Sequence, residues 1–296
     1  MSNATALETV AEGGAPRPPG RSRRRLPHGL LVGGTLVGLV VAAALVSFGW
    51  TPYDPTAIDP TQGLLGPGQH GHLLGTDNYG RDLFSQLLAG ARVTLLVGIV
   101  SVAISAVVGV PLGILAGMRR GFLGELVMRA NDIVFAFPAL LLAILLAAAY
   151  GASTLTAMVA IGIATIPAFA RLARAATLQV MASDYVLAAR ASGRRGLAIA
   201  WSHVLPNIAA VLVVQASVAF AIAILAEAAL AYLGLSTRPP TPSWGRMLHD
   251  AQAYLFTKPL LSVWPGVAIA VAVLGFNLLG DGLRDYLDPR LREVSR

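Results

Sequence analysis

The chain of 296 residues is 55% hydrophobic and 12% charged, has a mean hydropathy of +0.68, and contains 31 Gly, 18 Pro and no Cys. About a quarter of the residues of a soluble domain are charged and a disordered chain couples low hydrophobicity to high net charge, so both classes are excluded. Without cysteine there is no disulfide framework, Cys-ligated metal or thiol nucleophile. The excess of 22 Lys+Arg over 15 Asp+Glu gives +7 and leaves nucleic acid or a membrane surface as its cause.

In chain order, residues 1–28 form a basic tail, rich in Pro and small residues and expected to be disordered. Five long intervals then carry no Asp, Glu, Lys or Arg: Leu26 to Tyr53, Val93 to Met118, Ile133 to Ala170, Gly196 to Ala226 and Pro259 to Gly280. A crossing helix needs about 20 apolar residues. The third interval is too long for one helix and is interrupted by Tyr150-Gly151-Ala152-Ser153, a turn-forming run. Six spans are therefore predicted, near 29–50, 92–117, 129–149, 153–173, 207–234 and 261–283. The expected fold class is an all-α membrane protein with six transmembrane helices and a cytoplasmic coupling-helix loop. The first span is followed by an extracytoplasmic loop, 51–91, with an interfacial helix built on Leu83, Phe84, Leu87 and Leu88. A five-helix core, 92–285, contains a long inside loop at 174–206, and a short tail, 286–296, ends the chain.

Six spans put both termini on one side. With the amino terminus inside, the outside keeps only Arg81, Arg92, Arg238, Arg246 and Lys258, as the positive-inside rule requires. The basic run Arg21 to Arg25 thus reads as an orientation signal attracted to anionic membrane lipid, with no nucleic-acid partner. The stretch behind it is too long for a signal-peptide core and reads as a retained anchor.

Energy for uphill transport leaves traces. A P-loop requires a Gly-Lys-Ser/Thr run, whereas the only lysine, Lys258, lies between Thr257 and Pro259. His28, His70, His72, His203 and His249 are scattered, so no metal and no catalytic residue are assigned. Glu227 alone lies clearly inside a span. It reads either as a ligand for a cation, proton or charged substrate, or as a hydrogen-bonded carboxyl packed against another helix among small neighbours, the latter favoured. Asp132 and Asp281 sit near span ends and are expected to cap or to pair with Arg129 and Arg284. Pro111, Pro138, Pro167 and Gly275 read as kinks within spans rather than as pathway residues.

The inside loop keeps helical character at Asp184 to Ala191, with Gly193 placed as a left-handed cap. A second short helix is expected to end before Leu205-Pro206. Ala188, Ala189 and Ala191 permit close approach, and Arg190, Arg194 and Arg195 can meet carboxylates at the rim of a partner cleft. A basic hairpin resting on lipid headgroups fits these residues equally well.

Leu187-Ala188-Ala189, then Gly193, then His203-Val204-Leu205-Pro206 resemble the EAA loop of ABC-importer membrane subunits, with Leu187 replacing the acid and His203 the isoleucine. Ala188 to Gly193 and His203 to Asn207 are most similar to the dipeptide, oligopeptide and nickel branch. Leu74-Gly75-Thr76-Asp77-Asn78-Tyr79-Gly80-Arg81-Asp82 resembles the stretch before the second span of that branch's C-type permease. Thr76 or Asp77 can cap a turn there, and Gly75 and Gly80 permit tight bends.

The resemblance implies a non-enzymatic inner-membrane permease for di- or oligopeptides, both termini cytoplasmic. Its implied partners are a second homologous permease as heterodimer, two ATP-binding subunits or one fused ATPase, and an extracytoplasmic substrate-binding protein. ATP and Mg would bind those ATPase subunits, and this chain would hold no cofactor. Tyr185, Ala188, Ala189, Arg190, Ala191, Gly193, His203, Leu205 and Pro206 would form the coupling loop. Gly75, Thr76, Asp77, Gly80, Arg81 and Asp82 would form the extracytoplasmic motif. The alternative is an ion-coupled carrier or channel, for which Glu227 would be the key acid.

Overall fold

The computed structural model describes residues 28–119 and 121–287; the predicted tails, including Arg21 to Arg25, lie outside them apart from His28 and the start of the carboxyl-terminal one. Five helices are long and apolar enough to cross a membrane: α1 (His28–Gly49), α2 (Leu83–Met118), α5 (Thr154–Met181), α8 (Leu205–Tyr232, continuous with the segment before it) and α10 (Leu260–Leu287). α3 (Phe122–Ala136) and α4 (Ala139–Tyr150) meet at 81°, and counted together as one bent span they bring the crossings to six. Short helices α6 (Asp184–Ala191), α7 (Gly196–Ile199) and α9 (Trp244–Ala251) decorate the two ends of the bundle.

The structure corrects several expectations. The predicted 129–149 span is two helices because Phe137, preceding Pro138, is extended (φ −82°, ψ 126°); the ring of a following proline disfavours αR, so Pro138 breaks the helix rather than kinking it. No separate interfacial helix precedes the second span. Residues 83–91 are the first turns of α2, a continuous helix of 36 residues, about 54 Å long at 1.5 Å per residue. Leu205-Pro206 does not end a helix either. A π turn at Ala200–Val204, with the Leu205 N–H donating to Ala200, carries α7 directly into α8, and its wider ring absorbs a proline that an α-helical interior would resist.

Helices in a bilayer gain little from burying apolar surface against one another, so small residues and interhelical polar contacts decide which pairs meet. α2 and α5 pack along Gly109, Gly113 and Gly117: a Cβ at Gly113 would lie 2.3 Å from the Ala170 carbonyl oxygen. Ser101 Oγ donates to the Met158 carbonyl (3.0 Å) and Ser105 Oγ to that of Gly162 (2.8 Å), closing the same seam. α1 and α10 approach equally closely. Gly275, read from sequence as a kink, is instead a contact point where a Cβ would come 2.9 Å from Leu36 Cβ. Phe220 of α8 stacks on Phe276 of α10 with ring centroids 4.1 Å apart.

Candidate functional site

The segment between α5 and α8 sits at one end of the bundle. Ser183 precedes α6, whose first turn carries Asp184 and whose last carries Arg190, the charges a helix dipole favours at each end. After α6 the chain reverses at Gly193 (φ 76°), with Gly193 N–H donating to Arg190 (2.9 Å) and Arg194 N–H to Ala189 (3.1 Å). This is the left-handed cap expected from the sequence.

Val186 is fully buried and joins Ile199, Val204 and Ile208 with Met181 of α5 in one apolar cluster. That anchor was missed in the sequence because a single valine in a polar loop carries no periodicity. Tyr185 meets the His203 ring edge-on at 6.1 Å, tying α6 to the π turn. Ala188, Arg190, Ala191, Gly193 and Pro206 face outward, and Ala189, His203 and Leu205 are half-buried. Leu197 and Trp201, 83% and 75% exposed, extend the free face. The loop is thus an exposed ledge of small, basic and apolar side chains pinned from behind to α2, α5 and α8.

The opposite end holds the second motif. Gly75 (φ 86°) and Gly80 (φ 77°) adopt left-handed backbone, and a Cβ on Gly80 would come 1.8 Å from the Asp59 carbonyl oxygen. Thr76 Oγ1 donates to the Gln62 carbonyl (2.5 Å) and accepts from Leu65 N–H (2.9 Å), so it ties two loop segments and leaves the capping of the turn to Asp77. Asp77 Oδ1 accepts from the Tyr79 and Arg81 N–H groups (2.8 and 2.9 Å) and its Oδ2 from Arg81 Nε (2.6 Å). The helix cap is Asp82, whose Oδ2 accepts from Ser85 N–H (2.7 Å) while Oδ1 meets His72 Nδ1 (2.9 Å). Nearby, hydrogen bonds from Thr61 and Gln62 hold the exposed Asp59 carboxyl below its ordinary value.

Two distant residues complete the network: Arg81 Nη2 reaches Asp250 of α9 (3.1 Å), and Asp250 accepts in turn from Arg246 (2.9 Å). Trp244 Nε1 donates to the Leu87 carbonyl (2.9 Å) and locks α9 onto α2. Neither link has a local sequence signal.

Glu227 is 1% exposed near the α9 end of α8. Thr237 Oγ1 lies 3.5 Å from its Oε1, and the Ser243 hydroxyl also faces the carboxyl. Gly245 fits so closely against Ala228 that a Cβ would lie 2.7 Å from its Cα. The Glu227 carboxyl is thus buried and hydrogen-bonded among small neighbours. Asp132 pairs with Arg171 of α5 (2.7 Å), not with Arg129, which takes Glu125 (2.7 Å). Among the described residues Asp281 and Arg284 make no ion pair. Spacing of three on a helix permits such pairs without requiring them, and a better-placed partner on another helix wins. Among the described residues no group of three His, Asp or Glu could hold a metal ion.

Comparison with known proteins places these features in context. Residues 109–293 match the family described as binding-protein-dependent transport system inner membrane component. The di/tripeptide transport system permease protein DppC of Pseudomonas aeruginosa is 44% identical over 271 residues, 89% of each chain. The glutathione transport system permease protein GsiD of Pectobacterium atrosepticum is 40% identical over 265 residues, covering 90% of this chain and 88% of that one. A chain of the MetNI methionine ABC transporter, in an inward-facing form, superposes with a TM-score of 0.57 at 20% identity over 71% of this chain and 97% of its own, and so shares the fold.

Proposed function

The chain belongs to the family of binding-protein-dependent transport system inner membrane components and is a multi-pass permease subunit of an ABC importer; from that premise we propose that its cargo is di- or oligopeptides. Permeases of this kind are non-catalytic, and they act in complexes of a permease pair, ATPase and substrate-binding protein. The relatives named for di/tripeptide and glutathione transport, matched over nearly nine-tenths of their length, carry the cargo reading.

The partner permease is a homologous but different chain, forming a heterodimer around the pathway. Two ATP-binding subunits, or one fused ATPase, grip the ledge built on Tyr185, Ala188, Ala189, Arg190, Ala191, Gly193, His203, Leu205 and Pro206, and ATP and Mg belong to those subunits. A face of small residues admits close approach, and Arg190 with its neighbours supplies charge for carboxylates around it. Because Val186 anchors α6 to three spanning helices, force applied to the ledge moves the spans instead of bending a loop. The ledge side is cytoplasmic, with both termini, and the membrane is the bacterial inner membrane, as the arginine distribution favours. The Gly75 to Asp82 motif then faces the extracytoplasmic binding protein as a rigid elbow.

Tagging the carboxyl terminus and identifying co-purifying chains tests this reading. Stoichiometric recovery of a P-loop ATPase and a second six-span permease, with ATP-dependent uptake of labelled dipeptide, is the expected result. An intact complex containing this chain alone, with uptake that follows the ion gradient, would replace it by the carrier or channel reading.

A further inference from the structure

The elbow at the end of the bundle opposite the ledge contains a buried histidine with oxygen atoms on both sides. His72 is 5% exposed; its Nδ1 lies 2.9 Å from Asp82 Oδ1 and its Nε2 3.0 Å from Gln62 Oε1. The orientation of the Gln62 amide is fixed from its far side, because its Nε2 donates to Asp59 Oδ2 (2.8 Å) and a carboxylate only accepts. Turning the amide over would set its oxygen against the Asp59 carboxylate. A neutral imidazole has one N–H and one bare nitrogen, so it would leave a lone pair facing either Asp82 or Gln62. Only a ring with both protons satisfies the row Asp82, His72, Gln62, Asp59, in which acids stand at both ends and each ring N–H meets an oxygen.

The row fastens the loop to α2. Asp82 caps that helix through Ser85 N–H, and Ser85 Oγ in turn accepts from Tyr53 N–H (3.1 Å), whose ring lies over the imidazole with centroids 4.4 Å apart. The loop so fastened is under conformational load. Leu64 (φ 59°) and His70 (φ 49°) hold left-handed backbone without being glycine, a conformation that L side chains resist and that persists only where the surroundings over-determine it. The charged groups facing His72 are both acids, Asp82 directly and Asp59 across Gln62; Arg81, beside Asp82 in the chain, is turned to Asp77 and Asp250.

We infer that His72 carries both ring protons in this arrangement and that the row from Asp82 to Asp59 is a proton-operated clasp, closing residues 59–72 onto the start of α2 when the pH at this face is low and releasing them as the proton leaves. Histidine suits such a switch because its charge changes between about pH 5 and 8. The closed clasp holds one proton more than the open loop, so closing is favoured as pH falls and is lost as pH rises. The Gly75 to Asp82 motif leans on the clasped loop, since a Cβ at Gly75 would come 2.3 Å from the Leu65 carbonyl oxygen, and acidity at this face thereby stiffens the motif. Under the proposed orientation that face is extracytoplasmic, and the cargo does not enter the device.

Amide hydrogen exchange of the complete importer in lipid nanodiscs, where both faces meet one buffer, is the measurement. Opening of peptides covering residues 59–72 is followed by mass spectrometry and corrected for the intrinsic pH dependence of exchange. From about pH 6 to about pH 8.5 the wild-type opening equilibrium is expected to rise at least about tenfold, since one coupled proton supplies up to about tenfold per pH unit. In His72→Gln the corrected profile is expected to be flat. Gln62→Leu keeps the Asp82 contact, removes the acceptor of Nε2 and is expected to lose most of the pH dependence, so the test stands even where His72→Gln fails to assemble. A wild-type profile that is flat after correction, or full wild-type pH dependence in either variant, overturns the inference.

Discussion

The Arg81 guanidinium lies between two carboxylates, 2.6 Å from Asp77 in its own loop and 3.1 Å from Asp250, 169 residues later on α9. All three side chains are largely buried, and Arg246 supplies a second cation to Asp250, so two guanidinium groups offset two poorly solvated acids. Arg81→Ala leaves Asp77 without its cation and Asp250 with Arg246 alone, and removing one partner from such a buried set costs about 3–5 kcal/mol. Thermal unfolding of the purified complex is expected to fall by several degrees, and Arg81→Lys to rescue it only in part, because a point charge cannot span the two acids as the planar fork does. An unchanged midpoint in Arg81→Ala would show that the network contributes nothing.

Val186→Ala empties part of the cluster behind the ledge and is expected to destabilise it by about 2 kcal/mol. Transport should suffer more than stability, since the anchor is what stiffens the ledge. Measured in proteoliposomes, ATP hydrolysis should persist while peptide uptake per ATP declines; an equal fall in both would argue against a role in coupling.

Gly193 occupies left-handed backbone with open space around it, so a β-branched residue there is strained by conformation alone. Gly193→Val, and Ala188→Glu with Ala189→Glu, are expected to abolish uptake while membrane insertion, followed by protease protection of the loops, stays normal. Wild-type uptake by correctly inserted variants would sink the coupling role.

Gly113→Val drives side-chain atoms into the α5 backbone, where even a Cβ lies 2.3 Å from the Ala170 carbonyl oxygen. Overpacking of this kind costs about 1–3 kcal/mol or more, and lower yield of folded complex by size-exclusion chromatography is the measurement. Gly34→Val, on a surface with nothing within 4 Å, is the control expected to behave as wild type.

Glu227→Gln retains the shape and an acceptor for the Thr237 and Ser243 hydroxyls. Packing predicts near-normal uptake for Gln and a loss of assembly for Glu227→Leu, which leaves buried hydroxyls without a partner. Should Glu227→Gln assemble normally yet lose uptake, the acid would carry a proton or ion instead.

The crossings, the reversal at Gly151 and the Gly193 cap were legible because they follow from local quantities: apolar length and the conformational freedom of glycine. The family resemblance was legible in motif spacing as well. Hidden were the break at Pro138 as opposed to the passage through Pro206, two prolines with opposite outcomes. A proline's effect depends on whether neighbouring turns can widen, as the π turn at Ala200–Val204 does.

Composition and periodicity by themselves determined that this chain spans a membrane several times, because burying apolar helices in lipid is a property of each segment alone. Only the tertiary structure decided which charges meet. Asp132 chose Arg171 over Arg129, and Arg81 reached Asp250 across 169 positions, since an ion pair falls off with distance in space and sequence separation does not enter its energy.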